Sequence, residues 1–136
     1  MIAVDSNVIA YCWISSQHSR LAQRVRVADP DWRVPVLWRS EVRSILSGHL
    51  RRGSLSGSQI GRLMRHIEAE LSGGEHLVES DAVFGVVGES RLSAYDAEFV
   101  ALARQLSVTL VTEDQAVLKA FPTIARSMES FLADLH

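Results

Sequence analysis

Four acidic residues stand where one element ends or the next begins: Asp5 in IAVDSNVIAY, Glu41 in WRSEVRSIL, Asp96 in SAYDAEFVALA and Asp114 in VTEDQAVL. Taken singly, each has a local explanation. Asp5 and Asp114 occupy positions where aspartate caps a helix, an interaction worth about 1 kcal/mol. Glu41 and Asp96 fall in first turns, where negative charge complements the helix dipole. Brought together, the four would do different chemistry. Carboxylates within a few ångströms repel one another and desolvation adds to the cost; such a site persists if a divalent cation occupies it. All-oxygen ligands select hard ions, Mg2+ or Mn2+, over Zn2+. The five histidines (His18, His49, His66, His76 and His136) show no zinc spacing, and His66 with Glu70 is an ordinary helix-surface pair. Cys12 is the only cysteine, which excludes an internal disulfide and a cysteine-built metal site.

Whether the acids meet depends on the elements that carry them. Residues up to Val4 read as a short buried strand. Ser6 or Asn7 can cap a helix running to about Trp13, and HSRLAQRVRVAD reads as a second helix ending before Pro30. WRVPVLW looks extended, because Pro35 keeps its predecessor out of helical geometry. Val42, Ile45, Leu46 and Leu50 then mark a helix, and RRGSLSGSQIG makes the bend of a helical hairpin. Ile60, Leu63, Met64, Ile67 and Leu71 form one stripe on the second arm, which SGG stops. A short strand is expected around His76 to Val78. Helices follow from about Asp81 to Gly88 and from Ser93 to Leu106, the second with Phe99, Leu102, Ala103 and Leu106 on its buried face. VTLVT, ending at Thr112, is the strongest strand signal. A short helix from Glu113 or Asp114 to Ala120, an edge strand near Ile124 and a closing helix in MESFLADL complete the chain.

This alternation implies an α/β fold, a three-layer α/β/α sandwich with a mainly parallel sheet, built as a single domain over residues 1–136. In such a sheet ligands bind outside the carboxyl ends of the strands, where the following helices begin. Asp5 and Asp114 belong to that edge, and Glu41 and Asp96 could reach the same crevice.

The composition, 47% hydrophobic and 22% charged with a net charge of −2, is that of an ordinary soluble globular protein. No run approaches the roughly 20 apolar residues that cross a bilayer, and no secretory leader pattern is present, so a cytoplasmic protein without a membrane partner is expected. Of the 14 basic residues only Lys119 is a lysine. Arginine suits bidentate contact with phosphate or carboxylate, and Arg33, Arg39, Arg43, Arg51 and Arg52 cluster in one region. That cluster is either a solvated helical face or a local phosphate-binding patch. The overall charge alone does not announce a nucleic-acid binder.

The joint pattern VDSNVIAY, RSEV, YDAEFVALA and VTEDQAVL resembles the PIN domain family, and specifically its VapC-type ribonuclease toxins. The resemblance runs from Ile2 to the final helix, and YDAEFVALA and VTEDQAVL are its most specific pieces. Carried over, it makes Asp5, Glu41, Asp96 and Asp114 the catalytic, metal-holding set. It aligns Thr112 and Ser6 with the hydroxyl residues of the family's last and first motifs, where they would orient ligand carboxylates. It implies Mg2+ or Mn2+ as cofactor and RNA as substrate, cut by in-line hydrolysis that leaves a 5′-phosphate and a 3′-hydroxyl. Asp5 and Asp114 would be direct ligands, Asp96 a further ligand or one acting through water, and Glu41 would complete the cage and help position the nucleophile.

Arg39 and Arg43 flank Glu41 and would hold RNA phosphates. A small VapB-like antitoxin would lie across the acid pocket, with Tyr11, Trp13 and Trp38 as anchors or else as core residues, and a homodimer is expected. Some family members carry a further acid after the last motif. Gln115, Ala116 and Val117 stand there instead, and Glu113 and Glu98 should point elsewhere because residues one or two apart do not share a helix face. Three other readings fit parts of the pattern: a non-catalytic binding module on the same scaffold, a structure-specific DNA nuclease, and a receiver-like phospho-acceptor domain.

Overall fold

The computed structural model describes residues 1–135, so His136 lies outside the described residues. The elements follow in the order β1 (Ile2–Val4), α1 (Ser6–Trp13), α2 (Ser19–Ala28), β2 (Trp32–Pro35), α3 (Trp38–Arg52), α4 (Gly57–Leu71), β3 (Glu75–His76), α5 (Ser80–Gly88), α6 (Ala94–Leu106), β4 (Leu110–Val111), α7 (Gln115–Ala120), β5 (Ala125–Arg126) and α8 (Met128–Ala133). The five strands form one sheet in the order β3-β2-β1-β4-β5. Every pairing is parallel, with Ala3 opposite Arg33 on one side and Leu110 on the other. This is the three-layer, PIN-like α/β architecture expected from the sequence, with the sheet wholly rather than mainly parallel. In a receiver-like, flavodoxin-type sheet β1 neighbours β3; here β1 neighbours β2 and β4, which sets the phospho-acceptor reading aside.

From β1 the chain winds outward through β2 to β3, then crosses back to β4 and β5. Parallel crossovers are right-handed, so the reversal puts helices on both faces. On one side α1 packs on α2 and α3, α3 on α4, and α8 on α2; on the other, α6 lies across β1, β2 and β4 with α5 against it. The strands are buried on both faces and supply the centre of the core, together with Val8, Ile9, Trp38, Leu46, Ile67, Phe99 and Leu102. The reversal of direction falls between β1 and β4. Helices in such a sheet run opposite to the strands, so the N-termini of α1, α3, α6 and α7 gather at the carboxyl edge of those two strands.

Local chemistry accounts for most boundaries. Ser56 and Gln59 close a reciprocal capping box at the start of α4. Gly53 takes a left-handed backbone (φ 75°) to end α3, whose last turn carries His49, Arg51 and Arg52 against the helix dipole. The SGG segment stops α4 as a single tight turn. Gly74 there passes so near β2 that a Cβ would sit 2.1 Å from the Trp32 carbonyl oxygen, so only glycine fits.

Several expectations need correction. Of the two cap readings for α1, that of Asp5 holds and that of Ser6 or Asn7 does not, since both lie inside the helix. The extended stretch after Trp32 ends at Pro35, and Trp38 already begins α3. Strand β3 spans Glu75–His76 and stops before Leu77. VTLVT contributes only Leu110–Val111 to the ladder. No helix among the described residues is long and apolar enough to cross a membrane.

Candidate active site

Strand β1 delivers Asp5 straight into the start of α1. Its backbone is extended there (φ −79°, ψ 158°), and its Oδ1 accepts from the Ser6 N–H at 2.7 Å. The other oxygen, Oδ2, accepts from the Thr112 hydroxyl at 2.7 Å, a contact across 107 residues of chain. Thr112 is fully buried at the end of β4, and the same hydroxyl oxygen accepts from the Asp114 N–H at 3.0 Å. One threonine therefore ties the acid that follows β1 to the loop that carries the acid after β4. Asp114 caps α7, its Oδ1 accepting from Ala116 and Val117 N–H at 2.8 and 3.1 Å.

The other two acids come from helix N-termini. Ser6 donates its hydroxyl to Glu41 Oε1 at 2.8 Å, joining α1 to the first turn of α3. Asp96 is held in the first turn of α6 by its own N–H, which donates to the Ser93 hydroxyl at 3.1 Å. Asp5, Glu41, Asp96 and Asp114 all line one cavity of about 400 Å3 at this edge, together with Ser6, Asn7, Leu37, Ser40, Ser44, Ile45 and Tyr95. That edge is the switch point between β1 and β4, where open parallel sheets bind their ligands.

The acids feel one another. Burial, reinforced by the charges of Glu41 and Asp96, pushes the Asp5 carboxyl up to about 6 despite the two hydrogen bonds it accepts. Asp5 is only 8% exposed. Burial and the neighbouring Asp96 and Glu98 raise Glu41, and burial with the charge of Asp114 raises Asp96. No arginine or lysine is among the described residues lining the cavity. The carboxylates stand around its wall rather than at one point, and among the described residues no three acidic, histidine or cysteine side chains are gathered tightly enough to enclose an ion as placed. The donor set nevertheless fits a hard divalent cation: it is all oxygen, several carboxyls are mutually destabilised, and no internal cation offsets them. Asp5, Asp96, Asp114 and Glu41 are the residues that would hold it.

Other sequence-based candidates fall elsewhere. Arg39 turns away from the cavity. Its Nε and Nη2 donate to the two oxygens of Glu75 at 2.7 and 2.8 Å, and Nη1 pairs with Glu68. Arg39 is thus engaged in an intramolecular network, and Arg43 is exposed on α3 and outside the cavity lining. Trp38, considered as a partner anchor, is fully buried and donates its indole N–H to Glu75 at 2.8 Å. Trp13 and Tyr11 are half-buried: Trp13 packs edge-on against Trp32 beneath Arg26, and Tyr11 packs on His18. Glu113 accepts from the Met128 N–H at 2.8 Å and so starts α8 instead of joining the acid set. Glu98 lies outside the cavity lining, yet its charge reaches Glu41. Sequence spacing had no means of finding that effect. Tyr95, on the cavity rim, was missed as well; its adjacency to Asp96 was the available signal.

The fold is shared with solved structures. FitAcB from Neisseria gonorrhoeae superposes with a TM-score of 0.75 at 18% identity, over 95% of this chain and 99% of the other. PAE2754 from Pyrobaculum aerophilum gives 0.76 at 21% identity, over 98% and 95%. A toxin–antitoxin complex from Klebsiella pneumoniae gives 0.67 at 16% identity, over 94% and 98%. No protein-family profile and no curated protein sequence matches the chain.

Proposed function

We propose that this protein is a metal-dependent endoribonuclease of the VapC type, a toxin held in check by a small antitoxin. One observation carries the reading: four carboxylates distant in sequence line a single cavity at the sheet's switch point, with no basic side chain in the lining to neutralise them. The shared fold, which includes one partner of a toxin–antitoxin complex, supports the biological setting.

A bound Mg2+ or Mn2+ supplies charge neutralisation at the scissile phosphate and lowers the pKa of an attacking water. The chain's own residues supply position. Thr112 fixes the Asp5 carboxylate and the Asp114 backbone together, and Ser6 fixes Glu41, so that three acids share one hydrogen-bonded frame. Glu41, raised by burial and by its acidic neighbours, is suited to take a proton from water attacking the phosphorus. Attack forms the new P–O bond, and the bond to the 3′-oxygen breaks. That oxygen leaves as a hydroxyl after taking up a proton, and the downstream fragment keeps a 5′-phosphate. Arg43, exposed on α3 outside the cavity lining, would neutralise a phosphate further along the bound RNA.

The test is incubation of purified protein with cellular RNA in Mg2+ or Mn2+, followed by capture and sequencing of 5′-phosphate ends. Internal cuts at reproducible positions, abolished by a chelator, are expected. RNA left intact with either ion would contradict the reading.

A further inference from the structure

The cavity ends partway along α3, but the helix face that lines it runs on. Leu37, Glu41, Ser44 and Ile45 line the cavity and recur at three- and four-residue steps, so they share one side of the helix. The same steps lead next to Gly48 and then to Arg51 and Arg52, at the C-terminal end of α3. Arg43 is two residues from Glu41 and faces another side. Glycine inside a helix is less favourable than alanine, and this one makes room for an arginine. A Cβ on Gly48 would stand 3.1 Å from Arg52 Nη1, and the three atoms nearest that position all belong to Arg52. The Arg52 guanidinium therefore lies against the Gly48 backbone, one turn back along α3 toward the cavity. Gly48 itself is only roughly 6 Å along the axis from Ser44.

These cations have no acid of their own. From Val42 to Ile67 the α3–α4 hairpin carries five arginines and no acid, in a chain whose net charge is −2. All five are exposed. Among the described residues the ion-paired arginines are Arg26, Arg33, Arg39, Arg104 and Arg126, every one of them outside that stretch. An acid-lined cavity repels a polyanion, and cations beside its mouth reverse that field locally.

We propose that Arg51 and Arg52 hold the phosphates of the RNA where it leaves the cavity along α3, with Gly48 bare so that the Arg52 fork can lie on that path. The proposal rests on the nuclease reading and adds to it the course of the substrate and the residues that grip it. The planar guanidinium fork matches phosphate oxygens. Phosphate contacts fix register without reading sequence, so the pair positions the RNA over the acids and leaves target choice to other contacts. The stripe is continuous with the cavity that takes the scissile phosphate, which favours RNA over an acidic protein segment as its occupant.

The experiment measures binding of a labelled, mixed-sequence oligoribonucleotide to the full chain over a range of salt concentrations, with Ca2+ in place of Mg2+ to hold off cutting. Wild type is compared with Arg52→Ala, Gly48→Gln and Arg65→Ala. Arg65 lies over Gly61 on α4 in the same manner, its Nη1 3.3 Å from the Cβ position. No described residue of α4 lines the cavity, so Arg65 is the matched control. Arg52→Ala is expected to bind about fivefold more weakly at about 0.1 M salt and to flatten the slope of log K against log salt by about 0.7, the signature of one lost phosphate contact. Gly48→Gln fills the Arg52 seat and should weaken binding to a similar degree while raising the unfolding temperature; damage to the fold would lower both. Arg65→Ala should change affinity by about twofold at most, its charge being screened from the path.

Unchanged affinity and slope in Arg52→Ala would overturn the proposal and leave the arginines to a protein contact. An equal loss in Arg65→Ala would overturn it as well, by reducing the effect to overall charge. Cleavage in Mg2+ on the same samples keeps the two readings apart. Cutting with an unchanged KM in Arg52→Ala would contradict this path and leave the nuclease standing, and binding through Arg52 without cutting would support the path and contradict the nuclease.

Discussion

Arg39 and Glu41 are two residues apart on α3 and serve opposite kinds of acid cluster. Residues at that separation face different sides of a helix. Arg39 turns toward β3 and α4, where its guanidinium meets both oxygens of Glu75 and one of Glu68 and lies over Trp38. Glu41 turns toward the sheet edge and meets Ser6, near Asp5 and Asp96. Protonation separates the two regions. The arginine beside it holds the Glu75 carboxyl below the ordinary range, whereas burial and like charge hold Asp5, Glu41 and Asp96 above it. Acids compensated by the protein's own cation are structural. Acids left without one hold their protons more tightly, and that contrast marks the site.

The sharpest break is Asp5→Asn, which removes one charge and leaves the shape of the site. RNA cleavage in Mg2+ should fall by at least about a thousandfold, with circular dichroism unchanged; a variant cutting at the wild-type rate would remove the acid site from the account.

Proton linkage separates the regions next. Asp5 titrates at about 6 in the folded protein against an ordinary 3.8, so between those values the folded state binds more protons than the unfolded one. Stability in chelator should therefore decline as pH rises through that window, by on the order of 2–3 kcal/mol for Asp5 alone. Glu41 and Asp96 act in the same direction. Glu75 has the opposite sign: its contribution is fully present above the ordinary carboxylate range and is lost only as pH falls below it. Urea unfolding across pH 4–7 should show the decline, and Asp5→Asn should remove most of it. A rise in stability across the window would contradict the assignment.

Thr112→Val takes the hydroxyl from Asp5 Oδ2 and from the Asp114 N–H. A loss of about 10- to 100-fold in cleavage is expected, with about 1–3 kcal/mol of stability for the unpaired buried groups, read from kinetics and unfolding on one preparation. Arg39→Ala should do the converse in the other region. It should cost about 1–2 kcal/mol of stability, since Glu75 loses its cation but keeps partial solvent access. Cleavage per folded molecule should be unchanged; a raised KM would restore Arg39 to the RNA-binding surface.

Much of this was readable in the chain. Strand signals in IAV and VTLVT put Asp5, Thr112 and Asp114 at one edge before any coordinates, because β-rich runs ending in a polar residue define where a parallel sheet stops. Pattern failed where a contact is made at long range. Arg39 reads as a free basic residue until β3 is known to lie beside β2, which brings Glu75 within reach. Trp38 looked extended because the influence of Pro35 was carried three residues too far; the strand ends at the proline and burial takes the indole inside. Asp5 takes the cap of α1, and Ser6, relieved of capping, is what reaches Glu41. Tyr95 escaped notice because helical periodicity knows about cores and nothing about cavities.

The most direct test of the acid site is Mn2+ titration of the chelator-treated protein, followed by calorimetry, for wild type and Asp5→Asn. Saturable binding by wild type, weakened at least about tenfold in the variant, is the predicted result. Absence of Mn2+ binding in wild type, or the same affinity in both proteins, would contradict it.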